Sequence, residues 1–154
     1  MKTTLAKLIA TGFYSGFGRP FPGTWGTIPA WLIAWFLIRG DQMILGAAAV
    51  VTFFVSIWSA GVAEKVYGHD ARKIVIDEWA GMFVTLLFVP YSLLGYGIAF
   101  FAFRGFDVFK FWPAAQSERL PGGWGITMDD IAAAVQANVA VHIVLWGLTR
   151  FGYI

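Results

Sequence analysis

Two long stretches without a charged residue are the features that most restrict how this chain can fold. Met43–Ala63 and Ile131–Thr149 contain only apolar, small and uncharged polar side chains. A helix needs about 20 such residues to cross the hydrocarbon core of a bilayer, and each stretch is close to that length. The sequence therefore predicts two helices that can span a membrane.

The scarcity of charge in the rest of the chain indicates a membrane protein as well. Only 13% of the 154 residues are charged and 58% are hydrophobic, whereas soluble domains carry about 25% charged residues. A formal net charge of +2 argues against a broad nucleic-acid-binding surface. The chain has no cysteine, which excludes disulfides, thiolate metal sites and cysteine nucleophiles.

Three shorter apolar segments accompany the two long ones. They are Gly26–Ile38, Trp79–Pro90 and Leu93–Phe103, the last extending as far as Phe109. Each is too short for an unaided crossing, which predicts tilted or half-buried helices inside a bundle. The N-terminal stretch "MKTTLAKLIATGFYSGFG" predicts an amphipathic segment that lies at the membrane interface. Since no linker or internal repeat interrupts the chain, we expect one domain over residues 1–154, an all-α, compact multi-helix integral membrane bundle with short and partly spanning helices.

The distribution of Lys and Arg predicts the orientation of the bundle, because cytoplasmic loops of membrane proteins are enriched in these residues. If all five segments cross and the N-terminus is cytoplasmic, only Arg39 and Arg150 lie outside. The cytoplasmic cations are then Lys2, Lys7, Arg19, Lys65, Arg72, Lys73, Arg104, Lys110 and Arg119. Every acidic residue except Asp41 falls on the same side. We expect a polar site at the inner edge of the membrane.

Two pairs of adjacent acids are the strongest candidates for chemistry. Asp77–Glu78 stands at the predicted start of one apolar helix, and Asp129–Asp130 stands at the start of the last one. One carboxylate of a pair can simply cap its helix, but an uncompensated second acid at a membrane boundary is costly. Mg²⁺ is bound through one or two carboxylates together with water and substrate phosphate oxygens. The pairs therefore predict a Mg²⁺ site, with capping as the alternative.

The segment "FRGFDVFKFWP" supplies cations suited to phosphate. Arg104, Asp107 and Lys110 are three residues apart, so on a helix they share one side. Arg binds phosphate through its planar fork and Lys as a point charge. Asp107 is a further candidate metal ligand. The alternative is an Arg–Asp–Lys ladder on the helix surface.

Two glycine-rich stretches precede apolar segments and are candidate anion-binding loops. They read "PFPGTWGTIPAW", in which Thr27 is a reasonable N-cap, and "LPGGWGITMDD". Helix N-termini favour phosphate, although Gly and Pro also mark ordinary turns. His69–Asp70 is a weaker catalytic candidate. His142 is expected to pack or to hydrogen-bond between helices.

The motifs "PFPGTWGT", "IVIDEWAGM", "FRGFDVFKFWP" and "GGWGITMDDIAAA" resemble, in order and spacing, those of bacterial phosphatidylglycerophosphatase A. The resemblance extends from about Gly12 to Val135. It implies a Mg²⁺-dependent membrane phosphatase of phospholipid metabolism, which converts phosphatidylglycerophosphate to phosphatidylglycerol and inorganic phosphate. It also implies an all-α fold with helices packed around a central one. One departure is Phe111, where the family commonly has Pro in Lys-Pro-Trp-Pro, which affects the turn after Lys110.

The resemblance also implies a set of site residues. Catalytic carboxylates would be Asp77, Glu78, Asp107, Asp129 and Asp130, of which Asp77, Glu78, Asp129 and Asp130 would hold Mg²⁺. Substrate phosphate would be bound by Arg104, Lys110, Thr24, Gly26 and Thr27. The attacking group, water or a carboxylate, stays open, as does the oligomeric state. The expected location is the bacterial inner (cytoplasmic) membrane, with several crossings and the active site facing the cytoplasm.

A functional alternative from another class is a small membrane ion transporter or channel that uses the acidic residues at its helix mouths. Ion sites of transporters usually lie near the bilayer midplane on broken helices. Here the acids stand on one side of the predicted bundle, beside cations that suit phosphate. The partners expected of the phosphatase are its phospholipid substrate and membrane lipids.

Overall fold

The computed structural model describes residues 2–68 and 71–154, which form helices joined by short turns and contain no strand. The α-helices of this part are α1 (Lys2–Ala10), α2 (Pro22–Ile33), α3 (Gln42–Tyr67), α4 (Ile76–Thr85), α5 (Leu93–Phe109), α6 (Ala114–Ser117) and α7 (Gly123–Arg150). A 3₁₀ turn covers Ser15–Phe17, and a π-helical turn, Ala34–Ile38, continues α2. The expected all-α class is confirmed.

Helix α4 is the centre of the bundle. It is only ten residues long, and every residue except Val84 is buried. It packs against α2, α3, α5 and α7. After its acidic first turn α4 is almost entirely apolar, so neighbouring helices cover its faces. The expectation of helices packed around a central one is therefore correct.

Helices α3 and α7 run antiparallel and approach each other closely. The Ser56 and Thr127 hydroxyls are 2.7 Å apart in a buried hydrogen bond, while Gly123 lies against the backbone of Ile57 and Gly61. Small residues at a crossing let two backbones come together, as is common between helices in membranes. The end of α3 and the start of α7 therefore lie at the same end of the molecule.

These two helices have the length and surface of membrane spans. At 1.5 Å per residue, α3 is about 39 Å and α7 about 42 Å long, against a hydrocarbon core of about 30 Å. Only 28% of the most apolar stretch of each helix is buried. Phe54 on α3 and Ile143 and Trp146 on α7 are among the exposed large apolar side chains. A soluble protein would not leave such faces in water, so this is a membrane protein.

Aromatic side chains close the end of the bundle opposite the start of α7. Trp35 packs against Tyr91 and Tyr96, and the Tyr91 hydroxyl donates to the Trp35 carbonyl at 2.8 Å. The Phe88 backbone amide donates to the Gln42 side chain at 2.8 Å. These contacts join the end of α2 and its π turn, the start of α3, the chain after α4 and the start of α5. All four elements therefore reach this end of the bundle.

Several helix boundaries differ from those predicted. Helix α2 starts at Pro22, so Thr27 lies inside it and is not an N-cap. Helix α7 starts at Gly123, so Asp129 and Asp130 lie two turns inside it and not at its start. The expected role of His142 is confirmed, since its Nε2 lies 3.2 Å from the Leu87 carbonyl oxygen. The weaker candidate His69–Asp70 lies outside the described residues.

Replacing Gly123 by Ala tests the close crossing of α3 and α7. A Cβ at this position would overlap the Ile57 carbonyl oxygen and lie 2.8 Å from the Gly61 nitrogen. We expect a loss of about 1–3 kcal/mol in the free energy of unfolding, typical of overpacking, measured as thermal unfolding in detergent. Gly147→Ala on the same helix is the control, because a Cβ there meets no atom within 4 Å. Equal stability of the two variants would contradict this crossing.

Candidate active site

A polar cavity of about 530 Å³ opens at the end of the bundle where α2 and α4 begin, α5 ends and α7 begins. Its charged lining residues are Arg72, Asp77, Glu78, Arg104, Asp107, Lys110, Asp129 and Asp130. Pro20, Phe21, Pro22, Gly23, Thr24, Ile74 and Val108 complete the wall. Both predicted acid pairs and all three residues of the predicted Arg–Asp–Lys group therefore meet in one place.

The Arg104 guanidinium joins three helices inside this cavity. Its Nη1 lies 2.6 Å from Asp107 Oδ2 on the same helix and 3.2 Å from Glu78 Oε1 on α4. The other Glu78 oxygen accepts a hydrogen bond from the Thr27 hydroxyl of α2 at 3.0 Å. Thr27 is fully buried behind the cavity, so its role is to position Glu78.

Two glycines allow α2 to come this close to Glu78. A Cβ on Gly23 would lie 2.5 Å from both Arg104 Nη2 and Glu78 Oε1. A Cβ on Gly26 would lie 2.7 Å from Glu78 Oε2 and 2.5 Å from Val75 Cβ. The predicted residue Gly26 therefore serves helix packing, since it is buried and does not line the cavity.

Lys110 connects α5 to α7. Helix α5 ends at Phe109, and Lys110 follows with a left-handed backbone (φ 44°). Its ammonium lies 2.8 Å from Asp129 Oδ2 and 3.4 Å from Glu118 Oε1. The predicted placement of Arg104 and Asp107 on one helix side is confirmed. Lys110, in contrast, leaves the helix and turns toward the last one.

Neither acid pair occupies the N-cap position of its helix. The N-cap of α4 is Val75 and that of α7 is Gly122, and neither residue makes a side-chain capping hydrogen bond. Asp77 and Glu78 lie in the first turn of α4, where the helix dipole favours negative charge. Asp129 and Asp130 project from the second turn of α7 into the cavity.

All four paired carboxylates are more than 90% buried. Burial raises the pKa of Glu78 well above its usual range, and the Arg104 guanidinium offsets part of that rise. Helix α4 is too short to span the bilayer, and this group stands at its polar end. Among residues 2–68 and 71–154, no hydrogen-bond partner contacts the buried Oδ2 atom of Asp130. A buried oxygen in that state is suited to receive a cation or a proton.

The donor set fits a hard divalent cation. The cavity wall carries five carboxylates and three cationic side chains, a formal excess of two negative charges. Within the described part of the chain no three acidic or histidine side chains are already gathered as a metal cage. Mg²⁺ does not need such a cage, because one or two carboxylates suffice when water and substrate phosphate supply the other ligands.

Comparison with known proteins agrees with this geometry. The family model described as phosphatidylglycerophosphatase A matches residues 8–145. The chain belongs to this family. It is therefore an enzyme, a phosphatase, and the resemblance noted in its motifs is confirmed. No solved structure matches the chain.

Three curated relatives cover most of the chain. A Bacteroides thetaiotaomicron protein named "Putative phosphatidylinositol-3-phosphatase" is 37% identical over 92% of this chain and 94% of its own length. Proteins named phosphatidylglycerophosphatase A from Haemophilus influenzae and Escherichia coli are 33% and 34% identical, respectively. Their alignments cover 89% and 83% of this chain and 86% and 76% of the relatives. The relatives are lipid phosphatases by name, but not all with the same substrate.

The sequence did not single out three residues that the structure places in or beside the site. Arg72 lines the cavity, Gly23 makes room for Arg104, and Glu118 pairs with Lys110. Arg72 stands five residues before Asp77, and that proximity to an acid pair was the available signal. Thr24 lines the cavity as predicted, although from the first turn of α2 and not from a loop.

Replacing Thr27 by Val tests the positioning of Glu78. Valine keeps the shape but removes the hydroxyl that donates to Glu78 Oε2. Leaving a buried acceptor without its donor costs about 1–3 kcal/mol. We expect phosphatase activity to fall roughly tenfold or more, measured as phosphate release in detergent. Thr52→Val on α3 is the control, because that hydroxyl bonds only to its own helix backbone. Full activity of Thr27→Val would show that Glu78 needs no such positioning.

Proposed function

We propose that this phosphatase hydrolyses phosphatidylglycerophosphate to phosphatidylglycerol and inorganic phosphate in a Mg²⁺-dependent reaction. We further propose that it crosses the bacterial inner membrane several times and that its cavity faces the cytoplasm. The observation that carries the proposal is the single cavity that joins both acid pairs with Arg104 and Lys110 beside a membrane-spanning helix. The names of two relatives support the substrate.

The position of the aspartates in α7 supports a reaction at the membrane surface. Residues 131–150 alone extend about 30 Å, which equals the thickness of the hydrocarbon core. Gly123–Asp130 then projects beyond the hydrocarbon, and Asp129 and Asp130 stand at the boundary. A lipid phosphate lies at that depth. The opposite ends of α3 and α7 carry Asp41 and Arg150, so the cation-rich end faces the cytoplasm by the positive-inside rule.

Mg²⁺ accounts for the charge of the cavity. A phosphomonoester dianion would be repelled by the formal excess of two negative charges. A bound divalent cation would cancel that excess, polarise a phosphate oxygen and lower the pKa of a bound water. The candidate ligands are Asp77, Glu78, Asp129 and Asp130. Asp130 is a first choice, because its buried Oδ2 has no hydrogen-bond partner among the described residues, whereas hydrogen bonds and ion pairs engage both oxygens of Glu78 and of Asp129.

The cationic side chains bind the phosphate in this proposal. Arg104 presents its guanidinium from α5, and Lys110 presents its ammonium from the turn that follows. Both are held by carboxylates, so their positions are set before substrate arrives. Such preorganised charge stabilises the equatorial oxygens while the ester bond breaks.

The reaction itself requires an attacking group and a proton transfer. In the simplest form, water adds to phosphorus and the bond to the glycerol oxygen breaks. A carboxylate accepts the proton that the water loses, and the leaving glycerol oxygen gains one. Because Asp130 is proposed to hold the metal, the proton acceptor is a carboxylate outside the ligand set, and Asp107 is the candidate in the same cavity. A carboxylate nucleophile such as Asp107 is the alternative route to the same products.

An apolar groove beside the cavity supports a lipid substrate. It has a volume of about 500 Å³ and is lined by Thr24, Ile28, Trp31, Leu32, Gly97, Phe100 and Phe101 of α2 and α5. Thr24 lines the polar cavity too, so the groove begins where the phosphate would bind. An acyl chain of the substrate fits this groove while the headgroup enters the polar cavity.

Metal removal and an Asp130 variant test the proposed reaction. We expect phosphate release from phosphatidylglycerophosphate in detergent with Mg²⁺, almost none with EDTA, and at least a hundredfold lower kcat for Asp130→Asn. Removing one major electrostatic contribution to a transition state costs about 10²–10³ in rate. Asp41→Asn is the control, because Asn retains the N-cap of α3 at the opposite end.

Each outcome of this assay has a defined meaning. Release that persists in EDTA would refute the metal. Release from phosphatidylinositol 3-phosphate but not from phosphatidylglycerophosphate would reassign the substrate. Ion flux without any phosphate release, in reconstituted vesicles, would favour the transporter alternative.

Filling the apolar groove tests the binding of an acyl chain. A Cβ at Gly97 would meet no atom within 4 Å, so Gly97→Leu adds a side chain to the groove from an open backbone position. We expect a roughly tenfold higher KM for a long-chain substrate, the equivalent of losing burial of about two methylene groups. KM for a short-chain, water-soluble analogue should not change. Gly46→Leu on α3, another open position, is the control, and an equal effect there would contradict the groove.

A further inference from the structure

A second cavity adjoins the proposed active site. It has a volume of about 400 Å³ and is lined by Gly16, Phe17, Gly18, Arg19, Pro20, Pro22, Arg72 and Lys73. Three of these residues, Pro20, Pro22 and Arg72, also line the active-site cavity. The two cavities are therefore neighbours, and the Arg72 side chain stands between them. We refer to the second cavity as the basic pocket.

The basic pocket differs from the active site in its charge. It is lined by the cations Arg19, Arg72 and Lys73, and within the described residues no carboxylate lines it. The active-site cavity has five carboxylates and a negative formal charge. An anion can therefore enter the basic pocket without a metal, whereas the active site favours a metal-bound phosphate.

The backbone and two aromatic rings hold the basic pocket in shape. Gly16 packs so closely on the Lys73 carbonyl oxygen that a Cβ there would overlap it. The Val75 amide donates to the Ala10 carbonyl at 2.8 Å and ties the next segment to α1. The Lys73 ammonium lies 5.1 Å from the Tyr67 ring and 5.5 Å from the Phe17 ring. Cation–π contacts of this kind hold a lysine head group in place while its charge stays available.

We propose that the basic pocket binds the phosphodiester of the lipid whose terminal phosphomonoester occupies the active site. This inference rests on the proposed function, since phosphatidylglycerophosphate carries two phosphates joined by a three-carbon glycerol. A singly charged phosphodiester suits a metal-free cationic pocket, and the dianionic monoester suits the metal-binding cavity. Arg72 contacts the linkage between them. A lipid with one phosphate cannot fill both sites, so the pocket selects substrates with a phosphorylated polyol headgroup.

Variants of the two cations that line only the basic pocket test this assignment. We expect Arg19→Gln and Lys73→Gln each to raise KM for phosphatidylglycerophosphate roughly five- to tenfold, the loss of one charge-assisted contact. Their kcat and the inhibition constant of inorganic phosphate should stay at the wild-type values. Lys73→Arg should restore most of the affinity. Lys65→Gln, an exposed lysine outside both cavities, removes the same charge and serves as the control.

The measurement is made in neutral detergent micelles and repeated in vesicles containing phosphatidylserine. An effect confined to the anionic vesicles would mean that the pocket binds bulk lipid, and would overturn the proposal. So would unchanged KM in both variants, or an equal change in the inhibition constant of phosphate. If the wild-type enzyme releases no phosphate from phosphatidylglycerophosphate, the proposed function fails first. Thermal unfolding in detergent shows whether each variant is folded. If either Arg19→Gln or Lys73→Gln is misfolded, the KM of the other variant tests the proposal.

Discussion

The burial of the Glu78 carboxylate at the start of α4 is the constraint on which the polar end of the molecule depends. A buried carboxylate is stable only if donors or cations compensate it. Thr27 of α2 and Arg104 of α5 supply that compensation, each to one of the two carboxylate oxygens. The same contacts hold three helices together at the cavity. This arrangement requires glycine at positions 23 and 26, because any side chain there would displace Glu78 or Arg104.

In the proposed function, membrane thickness sets the depth of the site. Helix α7 is longer than the hydrocarbon core, and its surplus is the segment that carries Asp129 and Asp130. Helix α4 is shorter than the core and lies buried among its neighbours, which lets its acidic first turn stand at the same level. The bundle places carboxylates from a long and a short helix around one cavity, which the proposed function locates at the lipid–water boundary.

Two neighbouring cavities of different charge give the proposed substrate a defined orientation. In the proposed reaction the active-site cavity takes the phosphate that is cleaved, and the basic pocket takes the one that is retained. The apolar groove between α2 and α5 leads away from Thr24 toward the membrane. The two phosphates of the proposed lipid match the two polar cavities, and an acyl chain matches the groove. The different substrate names among the relatives are consistent with variation in how the headgroup linkage is held.

The sequence by itself determined the class of the protein and most members of the site. Uncharged stretches of bilayer length predicted α3 and α7, and acid pairs at apolar boundaries predicted four of the cavity carboxylates. These signals can be read from short stretches of sequence, because transferring a charge out of water is costly at any position in the chain. The four motifs identified the family because each is a short stretch of neighbouring residues that can be recognised without the fold.

The tertiary structure alone decided how those residues are used. The start of α7 at Gly123 depends on packing against Ile57 of α3, so the sequence predicted an apolar helix here but placed its start wrongly. Lys110 leaves its helix to reach Asp129, Thr27 supports Glu78 from behind, and Arg72 joins two cavities. Each of these roles depends on contacts between residues far apart in the chain. Local periodicity carries no information about such contacts, which form only when the helices pack.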